Sequence, residues 1–168
     1  MYLEEIIRQS LSTGMRGGDT HMDPFQILAG LSDDDVHQSP AEGVMSIWEQ
    51  LTHLQFWQEV LIQNIKEGKP NWHKIDWQNA YPPDYKAQYG GWVEFSQVVK
   101  DTIGQIQDLA QNCDLTHKYQ DLSNVTAVHL LRFSCSHMSY HIAQIALTRK
   151  ILGLWPPPLS DESSYHLI

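Results

Sequence analysis

Charge is scarce in this chain: Asp, Glu, Lys and Arg make up 18% of its 168 residues, below the usual quarter. Basic residues are scarcer still, 11 against 20 acidic ones, for a formal net charge of -9. They are scattered from Arg8 to Lys150, and no cluster forms. A protein that holds nucleic acid through its phosphates shows a basic stripe, so DNA and RNA are excluded as the main partner. An anionic membrane surface is disfavoured for the same reason. The two cysteines, Cys113 and Cys135, are too few for a disulfide scaffold and lack metal-type spacing. Each is expected to be a small buried hydrophobe. Long apolar runs are missing too. None approaches the roughly 20 residues of a membrane span, and no apolar segment follows a basic start. Together these absences predict a soluble, cytoplasmic chain with no nucleic-acid and no membrane partner.

What is present is apolar and rich in rings. Hydrophobic residues are 42% of the chain, with 6 Trp and 9 His, which argues against disorder. The length fits one domain over residues 1–168, with a core over about 1–153 and a surface tail over 154–168. Leu3, Ile6, Ile7 and Leu11 lie at helical spacing, with Glu4 and Glu5 in the favourable first turn. Asp23-Pro24 predicts the start of a short helix through Leu31, and Ser32 to Asp35 a further brief turn. Ser46 and Glu49 form a capping-box pattern ahead of a second long helix. Its stripe of Ile47, Leu51, Leu54, Leu61, Ile62 and Ile65 ends at Gly68 and Pro70.

Residues 69–91 show no sustained period but carry Trp72, Trp77, Tyr81, Tyr85 and Tyr89. A loop this long either serves function, here as a cover over the bundle mouth, or packs as a satellite cluster. A third long helix is predicted from Trp92 to Asn112, with Phe95, Val99, Ile103, Ile106 and Ala110 on one face. The last runs from a cap at Asp121 or Ser123 to Gly153, where Trp155-Pro-Pro-Pro158 ends it. Nothing reads as alternating strands. The expected fold is all-α, an antiparallel four-helix bundle with a long aromatic loop between the second and third long helices.

The last helix carries His137 and His141, one turn apart and about 40° around the axis from each other. Two imidazoles so spaced can reach one point beside the helix, which suits a transition metal. With His137 as origin, Leu130, Phe133, Ser134, Gln144, Ile145, Thr148 and Ile151 fall on the same side, so the pair is expected on the inward stripe. Buried imidazoles need a partner for each ring nitrogen, which coordination supplies. A hydrogen-bonded core pair is the competing explanation. For a third ligand, His21, His37, His73, His117 and His166 fall in loops or the tail, and His129 drifts away around the helix. His53 is the other histidine inside a long bundle-facing helix, and facing helices commonly build such sites. Three neutral histidines leave coordination positions open, the layout of a catalytic zinc site. Glu49, one turn before His53, is the nearest candidate general base, unless the cap occupies it. Gln144 is expected to line the site, Tyr140 to pack beside it and Arg149 to lie away from it.

These segments resemble the DinB/YfiT-like family of four-helix bundle proteins. The likeness is carried by Met45-Ser-Ile-Trp-Glu-Gln-Leu-Thr-His53-Leu54 and, more specifically, by His137-Met-Ser-Tyr140-His141-Ile-Ala-Gln144-Ile145, then Arg149 and Leu152-Gly153-Leu-Trp155-Pro156-Pro157. The resemblance implies a divalent metal site of His53, His137 and His141, with nickel or zinc the first choices. It also implies a metal-dependent hydrolase or a transferase using a low-molecular-weight thiol, often as a homodimer. A noncatalytic, stress-associated dimer holding a metal for stability is the alternative.

Overall fold

Helix starts in this chain are set by side chains that satisfy the first free backbone N–H groups. The structure, a computed structural model, describes residues 2–18, 20–68, 75–81, 89–119 and 125–158. Helix α1 spans Tyr2–Gly14. The Asp23 carboxylate accepts the Phe25 N–H at 2.8 Å and opens α2, Pro24–Ile27. Ser32 and Asp35 cap each other reciprocally to start α3, Asp33–His37. Ser46 and Glu49 do the same for α4, Ile47–Glu67, a device worth about 1 kcal/mol. Gly68 closes α4 at φ 64, a conformation that other residues resist. A 3₁₀ turn, Trp77–Ala80, follows, then α5, Trp92–Asn112, and α6, Ala127–Ile151. No strand occurs among the described residues; Lys118 and Thr126 form one isolated bridge. The fold is all-α.

Helix α4 is the hub. It packs against α5 and α6, and α1 lies on both of those. Trp48 and Leu51 of α4, Phe95 and Ile103 of α5 and Leu131 and Ile142 of α6 are buried in one continuous apolar cluster. Trp48 tilts against Phe95 with ring centroids 4.7 Å apart. Two buried glutamines set how α4 sits on α6. Gln50 donates to Thr148 Oγ1 at 3.1 Å, while Gln58 accepts from the Ser134 hydroxyl. As the α4 position advances from 50 to 58, its α6 partner falls from 148 to 134. His53 lies between the two pairs on α4, and His137 and His141 lie between them on α6.

Several expectations need correction. α2 stops at Ile27, not Leu31, and turn residues follow. α6 starts later than expected, with Thr126 as its N-cap. Asp121 and Ser123 lie outside the described residues. Cys113 and Cys135 are only half-buried, although burial still raises both thiols, Cys135 to about 11. Of the aromatic loop, Trp72 and Tyr85 lie outside the described residues, as does the tail from Leu159. Tyr89 stacks on Phe95 at 4.4 Å. Among the described residues no helix is long and apolar enough to cross a membrane.

Candidate metal centre

His53, His137 and His141 come together. Each offers a ring nitrogen, and the three nitrogens lie within 4.8 Å of one another. α4 supplies the first and α6 the other two, held in register by the glutamine pairs flanking them. His137 Nε2 and His141 Nε2 are 3.0 Å apart. His53 has its ring centre 5.5 Å from that of His137 and 5.0 Å from that of His141. Two nitrogens at 3.0 Å match ligands roughly 2.1 Å from one ion and near a right angle apart.

The polar atoms around the cluster decide which ring nitrogens are available. His53 Nδ1 faces the main-chain carbonyl of Ala80 at 3.1 Å. A carbonyl only accepts, so Nδ1 carries the proton and Nε2 keeps its lone pair. The Nε2 atoms of His137 and His141 face each other, a contact with room for one proton, and the Nδ1 atoms of both rings are buried without a hydrogen-bond partner. Buried imidazoles in that condition are costly. A cation at the meeting point would let both Nε2 atoms act as electron donors and relieve their facing contact. The donor set therefore fits a divalent transition metal.

The electrostatics agree. Burial pushes the His141 imidazole down to about 3, helped by the neighbouring His137 and His53 rings, while the Gln144 amide pulls the other way. Burial and the His53 ring push His137 down to about 4. Burial also lowers His53, against the Ala80 hydrogen bond. Neutral imidazole, the form that binds metal, is thus the form the protein holds.

Other expected residues fall as follows. Glu49 is committed to its cap: its Oε2 accepts the Ser46 N–H at 2.7 Å. The Gln144 amide interacts with His141. Arg149 is away from the cluster and buried, donating to the carbonyls of Leu154 at 3.0 and 2.9 Å, of Ala29 at 2.9 Å and of Ile27. Phe133 and Ile151 are exposed, so the inward stripe of α6 is narrower than the helical wheel predicts. His141 is buried within it, whereas His137 lies at its edge. Tyr140 is exposed, with its ring meeting that of His141 edge-on.

Two histidines expected in loops are not simply solvated, and one of them, His37, is the last residue of α3. His21 bonds Ser139 Oγ at 2.9 Å and the Met22 carbonyl at 2.9 Å, tying the segment after α1 to α6. His37 packs on Trp48 at 4.5 Å. His73 and His166 lie outside the described residues. Sequence reasoning missed Ala80. A backbone carbonyl 27 residues away leaves no signal in residue type.

Set beside known proteins, residues 21–166 match the family described as DinB family. The chain belongs to the DinB family. Within this DinB-family chain all three clustered histidines fall inside the matched region, as do the α6 segment and Arg149. No curated protein and no solved structure matches the chain.

Proposed function

We propose that this DinB-family chain is a cytoplasmic metal-dependent enzyme, either a hydrolase or a transferase for a low-molecular-weight thiol. The observation that carries the proposal is the convergence of three neutral imidazoles from two facing helices. His53 Nε2, His137 Nε2 and His141 Nε2 are the proposed donors, for nickel or zinc. A bound ion would supply a hydroxide from water near neutral pH, or hold a thiol as thiolate. The chain's own part is to keep the donors deprotonated, through burial, and aimed, through the Ala80 carbonyl. Gln144 is proposed to orient a group bound next to His141, a role its interaction with that ring supports. Glu49 is the proposed general base, and to act so its carboxylate would have to leave the Ser46 cap.

Architecture supports this reading. We take α1, α4, α5 and α6 as an antiparallel four-helix bundle, with α4 and α6 as the facing pair that carries the donors, in a single domain. The opposed numbering of the Gln50–Thr148 and Gln58–Ser134 pairs supports that arrangement for these two helices. A homodimer is proposed as well, supported by the exposed Leu147 and Ile151 on α6.

The second reading is a noncatalytic, stress-associated dimer in which the ion serves stability. It is favoured by the place of the cluster, where one ion would join α4 to α6 and, through the His53–Ala80 hydrogen bond, steady the 77–80 turn. Metal-loaded protein assayed against ester, amide and thiol-acceptor substrates separates the two. Turnover lost in His53→Ala while the fold persists supports the enzyme. No turnover in any class, with a melting temperature that collapses on metal removal, supports the structural role.

A further inference from the structure

Each of the three clustered imidazoles carries an exposed aromatic ring on its outer side. Tyr81 stacks on His53 with centroids 4.5 Å apart and planes 27° apart. Phe133 stacks on His137 at 5.6 Å and 25°. Tyr140 meets His141 edge-on at 5.1 Å and 85°. These rings are 56%, 49% and 61% exposed. A ring laid on an imidazole hides one face and offers the other, so Tyr81 and Phe133 each present a free aromatic face beside the donors. They come from different parts of the chain, Tyr81 from the end of the 3₁₀ turn and the other two from α6.

Charge around the cluster narrows what such a rim can hold. The ring and hydrogen-bond contacts around the histidines are with uncharged groups: the Tyr81, Phe133 and Tyr140 rings and the Ala80 carbonyl. Along α4, Glu49 accepts from the Ser46 N–H and Glu59 from Gln55 at 2.7 Å, so neither carboxylate is bonded to the rings. None of these contacts brings a charged side chain onto the three rings, so the rim itself offers no partner to a charged substituent. Flat apolar rings, by contrast, gain from stacking on aromatic faces and from covering exposed apolar surface.

We propose that Tyr81, Phe133 and Tyr140 form a subsite for a neutral aryl group, so that ligands of the metal centre are selected for an aromatic substituent. The rim sets which substrate the centre accepts and leaves metal binding to the histidines. This rests on the metal-centre reading above, and measuring metal stoichiometry alongside keeps the two apart.

The test uses two hydroxamates that differ in their substituent, benzohydroxamate and acetohydroxamate, titrated calorimetrically into zinc-loaded protein. The wild type should bind the aryl probe at least about tenfold more tightly. Phe133→Ala combined with Tyr81→Ala should bring the ratio down to roughly threefold or less, with zinc stoichiometry and acetohydroxamate affinity unchanged. Tyr140→Ala alone should lower the ratio by a smaller factor. An aryl preference that survives the double variant overturns the subsite, as does equal binding of both probes by the wild type. A double variant that sheds its zinc also overturns it, because the rings would then be supports for the histidines. A wild type that takes up no zinc removes the metal centre and the subsite together.

Discussion

The His53 Nδ1–H donates to the main-chain carbonyl of Ala80 across 3.1 Å. This single hydrogen bond joins α4 to the 3₁₀ turn within the aromatic loop and fixes which His53 nitrogen is free. It predicts one tautomer. Long-range proton–nitrogen correlation spectra near pH 7 should show His53 protonated at Nδ1, with and without metal. A dominant Nε2–H signal would remove His53 Nε2 from the proposed donor set.

The buried Nδ1 atoms of His137 and His141 predict a conflict between site and stability. Replacing His141 by Leu removes a desolvated ring whose Nδ1 has no partner, at the cost of its Nε2 contact with His137, and leaves apolar volume in its place. The metal-free variant should be as stable as the wild type or more so, by on the order of 1 kcal/mol in urea unfolding. A loss of several kcal/mol on the same measurement would mean that the ring has hydrogen bonds other than those described here.

How much of this could be read from residues alone follows from what residue patterns encode. The α4 start was legible because Ser46 and Glu49 carry their capping chemistry in their side chains. The α5 limits, Trp92 to Asn112, were legible from the periodic apolar stripe ending in polar residues. His137 and His141 were legible because helical spacing alone brings them together. His53 was weaker, since its approach depends on how α4 lies on α6, and that is set by Gln50 and Gln58 reaching across the interface. Ala80 was invisible, because any residue type offers a carbonyl. The exposure of Phe133 and Tyr140 was also hidden, since a helical wheel gives direction but not the distance to the next helix.

The lowered imidazoles predict a pH dependence with a definite sign. Between the unfolded value near 6.5 and folded values of about 4 for His137 and about 3 for His141, the unfolded chain binds more protons than the folded one. Stability of the metal-free protein should therefore be fully present above pH 6.5 and fall as pH drops through that window. Urea midpoints measured across that range should decline, and His137→Leu with His141→Leu should flatten the decline. A midpoint that rises on acidification would contradict the assignment.

Arg149 is buried, and its four bonds end on backbone carbonyls of Ile27, Ala29 and Leu154. It thereby ties α2 and the segment after α6 to the helix. Arg149→Met leaves those carbonyls without their donor and should cost about 3 kcal/mol. In a chain of this length that is roughly a 6–12 °C fall in melting temperature by calorimetry. Metal stoichiometry should be unaffected, because Arg149 stands away from the cluster. A variant with unchanged melting temperature would show that the clasp is dispensable.

The central claim is that three histidines from two helices hold one divalent transition metal. Elemental mass spectrometry of the purified protein, after incubation with nickel or zinc and desalting, tests it most directly. The account predicts about one ion per chain in the wild type, and an affinity reduced by at least about 100-fold in each of His53→Ala, His137→Ala and His141→Ala. Wild-type protein that retains no ion, or a triple variant that still retains one, would contradict it.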